Sequence, residues 1–185
     1  MTPHVCPWWL GYFLASPIRK FAHNPTRILA LYVKEGMIAL DIGPGMGFFT
    51  LPMARLVQEK GRVIAVDIQE RMLASLRCRA TRAELLDRIE TRVCTEDSLG
   101  IDDLTGKIDF ALAFAVLHEL PDMKRTITEI HRALKPEGQL LIAEPIGHVR
   151  KTAFAETMNV VLSLGFETIA TPSIRRTHAA LMRKV

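Results

Sequence analysis

The sequence predicts an α/β protein built on a doubly wound sheet of seven strands, mostly parallel, with an antiparallel hairpin at its C-terminal end. Three observations support this fold class. Short apolar segments alternate along the chain with longer amphipathic segments, a pattern typical of strands connected by helices. The composition, with 49% hydrophobic and 24% charged residues, is that of a globular protein. The 185 residues suit one domain with a substantial core.

The alternating core begins at residue 37, after an N-terminal segment of residues 1–36. Strands are predicted at residues 37–41, 62–67, 89–94, 108–115 and 139–143, and the final hairpin at residues 166–170 and 179–182. The predicted helices lie at residues 48–59, 70–86, 122–134 and 152–164, with a turn (KPEG) before the fifth strand. In the N-terminal segment, Asn24 and Pro25 predict a helix start and Gly36 its end.

Charge and cysteine content narrow the class of protein further. The formal net charge of +4 is a mild excess and only a weak argument for a nucleic-acid partner, which we therefore do not expect. The three cysteines are widely spaced and form no CxxC pair, which favours a reducing compartment over a disulfide framework. The uncharged residues 1–18 contain three prolines and are short for a membrane span. We therefore expect a cytoplasmic protein.

A glycine-rich loop follows the first predicted strand. Gly43, Gly45 and Gly47 let the backbone turn sharply and approach a ligand closely, and the next helix offers free backbone N–H groups at its start. The dinucleotide fingerprint G-x-G-x-x-G needs glycine at position 48, where the chain has Phe48. Nicotinamide binding is therefore disfavoured. Taken alone, the loop is also compatible with a tight turn and no ligand.

Acidic residues follow the next two strands. Asp67 ends the second strand, where a carboxylate can accept hydrogen bonds from two ribose hydroxyls, and Asp97 follows the third. Loops at the carboxyl ends of parallel strands meet in one crevice, so these acids and the glycine loop are expected to share a site. Singly, each acid is equally compatible with a helix cap or a surface charge.

This ordered set of motifs resembles the class I S-adenosylmethionine (AdoMet)-dependent methyltransferase family over residues 37–185. Residues 40–47 (LDIGPGMG) resemble its glycine motif, Asp67 its ribose-binding acid and Asp97 its acid near adenine. Residues 134–140 (LKPEGQL) are similar to its turn into the fifth strand. The similarity points to the small-molecule branch that includes quinone-biosynthesis methyltransferases.

The resemblance implies a Rossmann-like fold that binds AdoMet and releases S-adenosylhomocysteine. In that reading the glycine loop faces the methionine part of the cofactor, and Asp41 fixes the loop and the cofactor amino group. The segment after the fourth strand passes near the methyl-donor end. The implied cofactor-binding residues are Asp41, Gly43, Pro44, Gly45, Gly47, Asp67, Ile68, Asp97, Ser98 and Ala115.

Methyl transfer asks little chemistry of the protein beyond positioning, except where the nucleophile must lose a proton. His118, after the fourth strand, is the best-placed base, and Glu144 ends the fifth strand facing the same crevice. A structural histidine and a helix-capping glutamate are the competing interpretations. The chain lacks the Asn/Asp-Pro-Pro-Tyr motif of amino-methylating enzymes. It also lacks a recognisable acid cluster of metal-dependent catechol methyltransferases, and we expect no metal.

Only one helix fits between the fifth strand and the final hairpin, so residues 1–36 are expected to cover the methyl acceptor. Trp8, Trp9, Tyr12 and Phe13 can line an apolar pocket for it. They can also touch a membrane surface, giving peripheral membrane contact, or simply pack on the core.

The leading functional hypothesis is methyl transfer to a small-molecule or lipid-like acceptor. An RNA or protein methyltransferase using the arginine-rich second helix ranks lower, because that helix does not obviously border the crevice. A non-catalytic AdoMet-binding regulator or partner subunit is the third hypothesis, because a glycine motif supports binding without proving turnover.

Overall fold

The structure is a computed structural model and describes residues 23–185. These residues contain one seven-stranded sheet with the spatial order β3-β2-β1-β4-β5-β7-β6. The strands in chain order are β1 (Ile38–Ile42), β2 (Arg62–Asp67), β3 (Ile89–Val93), β4 (Ile108–Phe114), β5 (Leu134–Pro145), β6 (Phe166–Ala170) and β7 (Thr177–Lys184).

The first five strands are parallel and the last is reversed. β1 lies between β2 and β4, and β3 and β5 extend the parallel sheet on either side. β7 pairs antiparallel with both β5 and β6. This arrangement confirms the predicted fold class. It also brings the carboxyl ends of β1, β2, β4 and β5 to one edge of the sheet, together with the start of β7. We call this edge the crevice edge.

Helices cover both faces of the sheet. They are α1 (Pro25–Leu29), α2 (Thr50–Val57), α3 (Glu70–Arg82), α4 (Met123–Ala133) and α5 (Lys151–Ser163). Side chains on β1 alternate between the two faces: Ala39 packs with Met53 of α2, whereas Leu40 packs with Ile127 of α4. Each face therefore has its own apolar layer, as a doubly wound sheet requires. No helix within residues 23–185 has the length and apolarity needed to cross a membrane.

The predicted N-terminal cap of α1 is present, but the helix is shorter than predicted. The Asn24 side chain accepts a hydrogen bond from the backbone N–H of Arg27 at 3.0 Å, with Pro25 as the first helical residue. The helix ends at Leu29 and not near Gly36. The chain then turns toward β1. The Gly36 N–H donates to the Val57 carbonyl at the end of α2 and not to a carbonyl of α1.

The KPEG segment is the clearest difference from the predicted elements. We expected a turn that precedes a strand beginning at residue 139. Instead Leu134 already pairs with Ile108, and the register of β5 on β4 shifts just beyond that pair. The segment is therefore a bulge inside a long strand. Glu137 has a positive φ of 63°, and a Cβ on Gly138 would lie 2.8 Å from the Lys135 carbonyl oxygen.

Candidate functional site

The loop between β1 and α2 adopts a conformation that favours glycine. Gly43, Gly45 and Gly47 have φ values of 65°, 54° and 83°, all in the left-handed region. The Gly43 N–H donates to the Val66 carbonyl at 2.9 Å, and a Cβ on Gly43 would lie 2.6 Å from Cγ2 of Val116. Around Gly45, beyond its chain neighbours, no atom lies within 4 Å of such a Cβ. The middle of the loop is therefore open toward a ligand.

Asp41 lies beneath this loop as a buried acid. Asp41 is only 2% exposed, and the Thr50 hydroxyl donates a hydrogen bond to its Oδ2 at 2.6 Å. Burial raises the pKa of Asp41 to about 7; the Thr50 hydrogen bond opposes the shift, and the nearby charge of Asp67 adds to it. The ion pairs within residues 23–185 do not include Asp41. A buried acid without a cation suits a ligand that brings a positive group.

Asp67 connects the end of β2 to the glycine loop. Its Oδ2 accepts the Gly45 N–H at 3.2 Å, and its Oδ1 accepts the Gln69 N–H at 2.9 Å. The residue is 8% exposed, and burial raises its pKa although these backbone hydrogen bonds favour the ionised form. The carboxylate is thus held at a fixed place on the crevice edge, beside the open part of the loop.

The loop after β3 carries Asp97 and Ser98 and is held by α4. The Asp97 side chain is 88% exposed and forms an ion pair with Arg125 at 3.0 Å. Glu129, only 7% exposed, accepts the Leu99 N–H at 2.8 Å and the Ser98 hydroxyl at 3.3 Å. The buried glutamate fixes the base of the loop, whereas Asp97 remains accessible from solvent.

Three other predicted cofactor residues line the same edge. Pro44 is buried, and its carbonyl accepts the Gly47 N–H at 2.9 Å. Ile68, directly after Asp67, is 37% exposed and provides an apolar surface beside this acid. Ala115 has a positive φ of 58°, and its N–H donates to the Ala143 carbonyl at 2.7 Å. The strained alanine turns the chain out of β4 toward the glycine loop.

His118 and Glu144 form a hydrogen-bonded pair between the ends of β4 and β5. Glu144 is 2% exposed; its Oε2 lies 2.6 Å from Nδ1 of His118, and its Oε1 accepts the Leu117 N–H at 2.8 Å. The other ring nitrogen of His118, Nε2, is not bound to Glu144. The His118 side chain is 23% exposed. The hydrogen bond to Glu144 raises the pKa of His118 against the effect of burial.

The segment from Ala115 to His118 brings the pair next to the loop. Val116 contacts the position of Gly43, and the next residue, Leu117, is bonded to Glu144. The base candidate is thus two residues from a direct contact with the glycine loop. Glu144 itself is enclosed by its two hydrogen bonds. It therefore does not face an open crevice, as the sequence suggested, but supports His118 from below.

Three residues support the site in a way that was not predicted from the sequence, which offered Arg79 only as one of the arginines of an RNA or protein methyltransferase. They are Thr50, which bonds Asp41; Glu129, which bonds the loop after β3; and Arg79 of α3, whose guanidinium donates to the Met46 carbonyl of the glycine loop. Burial lowers the pKa of Arg79. The sequence signal for Glu129 is its place four residues before buried Ala133, on the apolar side of α4. Thr50 and Arg79 give no comparable signal.

The predicted lid aromatics Trp8, Trp9, Tyr12 and Phe13 lie outside the described residues. The described part of the N-terminal segment packs on the core through Leu29 and Val33. Residues 23–185 contain no cluster of three or more His, Cys, Asp or Glu side chains arranged to hold a metal ion.

Comparison with known proteins places this site in a family context. A family model described as a methyltransferase domain matches residues 40–142, more than half of the chain. An uncharacterised 37.1 kDa protein in transposon TN4556 of Streptomyces fradiae is 34% identical over 71% of this chain and 37% of its own length. A ubiquinone/menaquinone biosynthesis C-methyltransferase of Hydrogenovibrio crunogenus is 30% identical over 60% of this chain and 43% of its own. The chain thus spans about two fifths of the length of these relatives.

A solved structure described as a SAM-dependent methyltransferase from Aquifex aeolicus has the same fold. It superposes with a TM-score of 0.88 and 22% sequence identity, covering 98% of this chain and 100% of that one. At that identity the likeness supports the architecture alone.

Proposed function

The chain belongs to the class I AdoMet-dependent methyltransferase family, and on this premise we propose that it transfers a methyl group from AdoMet to a small-molecule or lipid-like acceptor. The observation that carries the proposal is the meeting of two features at the crevice edge. The glycine loop is open at Gly45 and lies above the buried Asp41. At Gly43 it approaches Val116, in the segment that leads to His118, and His118 is hydrogen-bonded to Glu144.

The residues present fit AdoMet. Asp41 is a buried acid outside the ion pairs of the described chain, which suits the cofactor's amino group, and Asp67 is held where ribose hydroxyls can donate to it. Asp97 and Ser98 offer polar groups for adenine, with Ile68 as an apolar neighbour. When bound, the cofactor supplies an electrophilic sulfonium methyl group.

The protein's own contribution is to position the acceptor and to remove a proton. Glu144 holds His118 through Nδ1, so the Nε2 lone pair is directed away from the carboxylate and can take a proton from the acceptor. His118 is the catalytic base in this proposal, and Glu144 positions it. The acceptor atom accordingly carries a proton, as in a hydroxyl group or an acidified C–H.

The acceptor class rests on three supports. A relative that matches this chain is named for quinone biosynthesis. Two of the four arginines of α3 are engaged with their own surroundings, Arg77 with Glu70 and Thr91 and Arg79 with the glycine loop, and this argues against an RNA surface there. The predicted lid aromatics add apolar surface for the acceptor. The widely spaced cysteines support a reducing, cytoplasmic setting.

The proposal is tested with labelled AdoMet and a whole-cell extract, with the product identified by mass. We expect one small methylated product, whose formation at subsaturating AdoMet is slowed in D67A and whose formation at saturating AdoMet is slowed in H118N. Label recovered in RNA or protein would identify the macromolecular alternative. AdoMet binding without transfer to any fraction would identify a non-catalytic binder, and either result would refute the proposal.

A further inference from the structure

Four cations surround the acceptor side of the crevice edge. Arg150 and Lys151 begin α5, and Arg175 and Arg176 lie in the connection before β7; all four are exposed. The two segments are joined directly, because the Ile146 N–H donates to the Arg176 carbonyl at 3.1 Å. We call these four residues the basic rim.

No residue of the basic rim takes part in an ion pair of residues 23–185. Several other cations of these residues do, such as Arg125 with Asp97 and Arg183 with Glu137. The first turn of α5 contains no acid. Along residues 144–156 and 171–178 the acids are Glu144, which is buried against His118, and Glu156 in the second turn of α5.

The rim borders the proposed acceptor site. His148, in the turn between β5 and α5, packs its ring edge-on against His118 at a centroid distance of 5.6 Å. Ile146 in the same turn is 54% exposed, so a large aliphatic side chain meets solvent between the two pairs of cations. The acids of the cofactor side lie across the edge, Asp67 at the end of β2 and Asp97 in the loop after β3. The acceptor side carries the four cations of the basic rim, with Glu119 and Glu144 beside His118.

We propose that the basic rim, with Ile146 at its centre, docks the protein on an anionic lipid surface and so presents the acceptor site to the membrane. Exposed side chains in high-dielectric water make a poor pocket for a single small anion. Their effects add, however, over an extended anionic surface, at about fivefold in affinity for each cation near the headgroups. An exposed isoleucine amid cations matches the boundary between headgroups and acyl chains.

Vesicle sedimentation tests this surface with the full-length protein. The probes are vesicles of phosphatidylcholine alone and vesicles containing about one third phosphatidylglycerol, at low and high salt. We expect binding to the anionic vesicles only, weakening at least about tenfold at high salt. The rim variant R150Q/K151Q/R175Q/R176Q should lose at least about tenfold in affinity. I146S should bind more weakly with an unchanged salt dependence.

A variant of equal net charge provides the control. K34Q/R55Q/K60Q/R82Q removes four exposed cations away from the crevice edge, near the starts of β1 and β2 and the ends of α2 and α3, and should bind vesicles as the wild type does. Equal loss in both variants would reduce the effect to net charge and overturn the proposal. So would a wild type that ignores anionic vesicles, or a rim needed for single-stranded RNA but not for vesicles. Methyl transfer from labelled AdoMet, measured alongside, separates this outcome from failure of the proposed reaction.

Discussion

At the scale of single residues, the proposed cofactor site contains two acids that are buried and form no ion pair within residues 23–185. Asp41 and Asp67 lose solvation in the core, and burial raises the pKa of both. For Asp41, with a folded pKa of about 7 against an ordinary value of 3.8, the contribution to stability is greatest below the ordinary pKa. It is lost as the pH rises through about 7. A loss of folding stability of this kind is common where a binding site is preorganised.

Replacing Asp67 with alanine tests its assignment to the cofactor. The change removes the acceptor of ribose hydroxyls, and each charged hydrogen bond lost costs about 1.5–3 kcal/mol. We expect AdoMet affinity, measured by calorimetry, to fall tenfold or more. D87A, a change at an exposed acid far from the crevice edge, should leave affinity unchanged. Wild-type affinity in a folded D67A protein would mean that the ribose acid is another residue.

The His118–Glu144 pair predicts a pH dependence. Because Glu144 raises the pKa of His118, the neutral base becomes dominant only above the ordinary value of 6.5. The favourable ion pair is present below 6.5 and is lost as the pH rises through the folded pKa. In E144Q we expect the His118 pKa, followed by NMR titration, to fall toward or below 6.5, and the acid limb of the rate profile to move with it.

E119Q serves as the comparison for E144Q. Glu119 lies 3.9 Å from Nε2 of His118 and is a smaller cause of the raised pKa, so its neutralisation should lower that pKa less. The same His118 pKa in the wild type and in E144Q would show that Glu144 does not determine this pKa.

At the scale of elements, α4 connects the two halves of the site. Its N-terminal cap, Asp122, follows the segment that holds His118, and its buried Glu129 fixes the loop of Asp97 and Ser98. A single helix thus supports the proposed adenine loop at one point and the proposed acceptor loop at the other. Displacing α4 should change both loops together.

Replacing Glu129 tests this support. In E129A the Leu99 N–H loses its partner, and an unsatisfied buried donor costs about 1–3 kcal/mol. We expect faster hydrogen exchange at residues 95–100 and weaker AdoMet binding. E129Q keeps an oxygen acceptor and should retain most of both properties, and E156A, on the exposed side of α5, should match the wild type. Unaltered exchange and affinity in E129A would disprove the supporting role.

At the scale of the whole molecule, the cofactor motifs and the acceptor cover are separate parts of the chain. The cofactor candidates lie between residues 41 and 115. The aromatic cover was predicted from residues 1–36. Apolar side chains at the described crevice edge, such as Ile68 and Ile146, remain partly exposed. A cover for the acceptor is therefore still required by the proposed chemistry, which needs water excluded.

Deleting residues 1–16 tests the cover. We expect the shortened protein to bind AdoMet with unchanged affinity by calorimetry but to lose turnover, because the acceptor is no longer positioned. A lower melting temperature with both ligands weakened would instead mean that the segment packs on the core. Loss of vesicle binding with normal activity on a soluble acceptor would indicate a membrane contact. Full turnover on the natural acceptor would end the cover hypothesis.

The sequence by itself determined the order of strands and helices and the place of the glycine loop. These follow from local patterns: buried strands are runs of apolar residues, and a turn with positive φ favours glycine. The final hairpin was predicted to within a few residues at each end. The bulge at the start of β5 was missed because KPEG has the composition of a turn, and only its pairing with β4 makes it part of a strand.

Only the tertiary structure decided which side chains support the site. Thr50, Arg79 and Glu129 reach their partners across 9, 33 and 30 residues of sequence. Glu144 was predicted to face the crevice, but its two hydrogen bonds to the segment after β4 enclose it beneath His118. Such contacts depend on how helices pack against the sheet, and residue type carries little information about that packing. The sequence therefore determined where a ligand can approach the backbone. The packing of the helices determined which side chains stabilise that site.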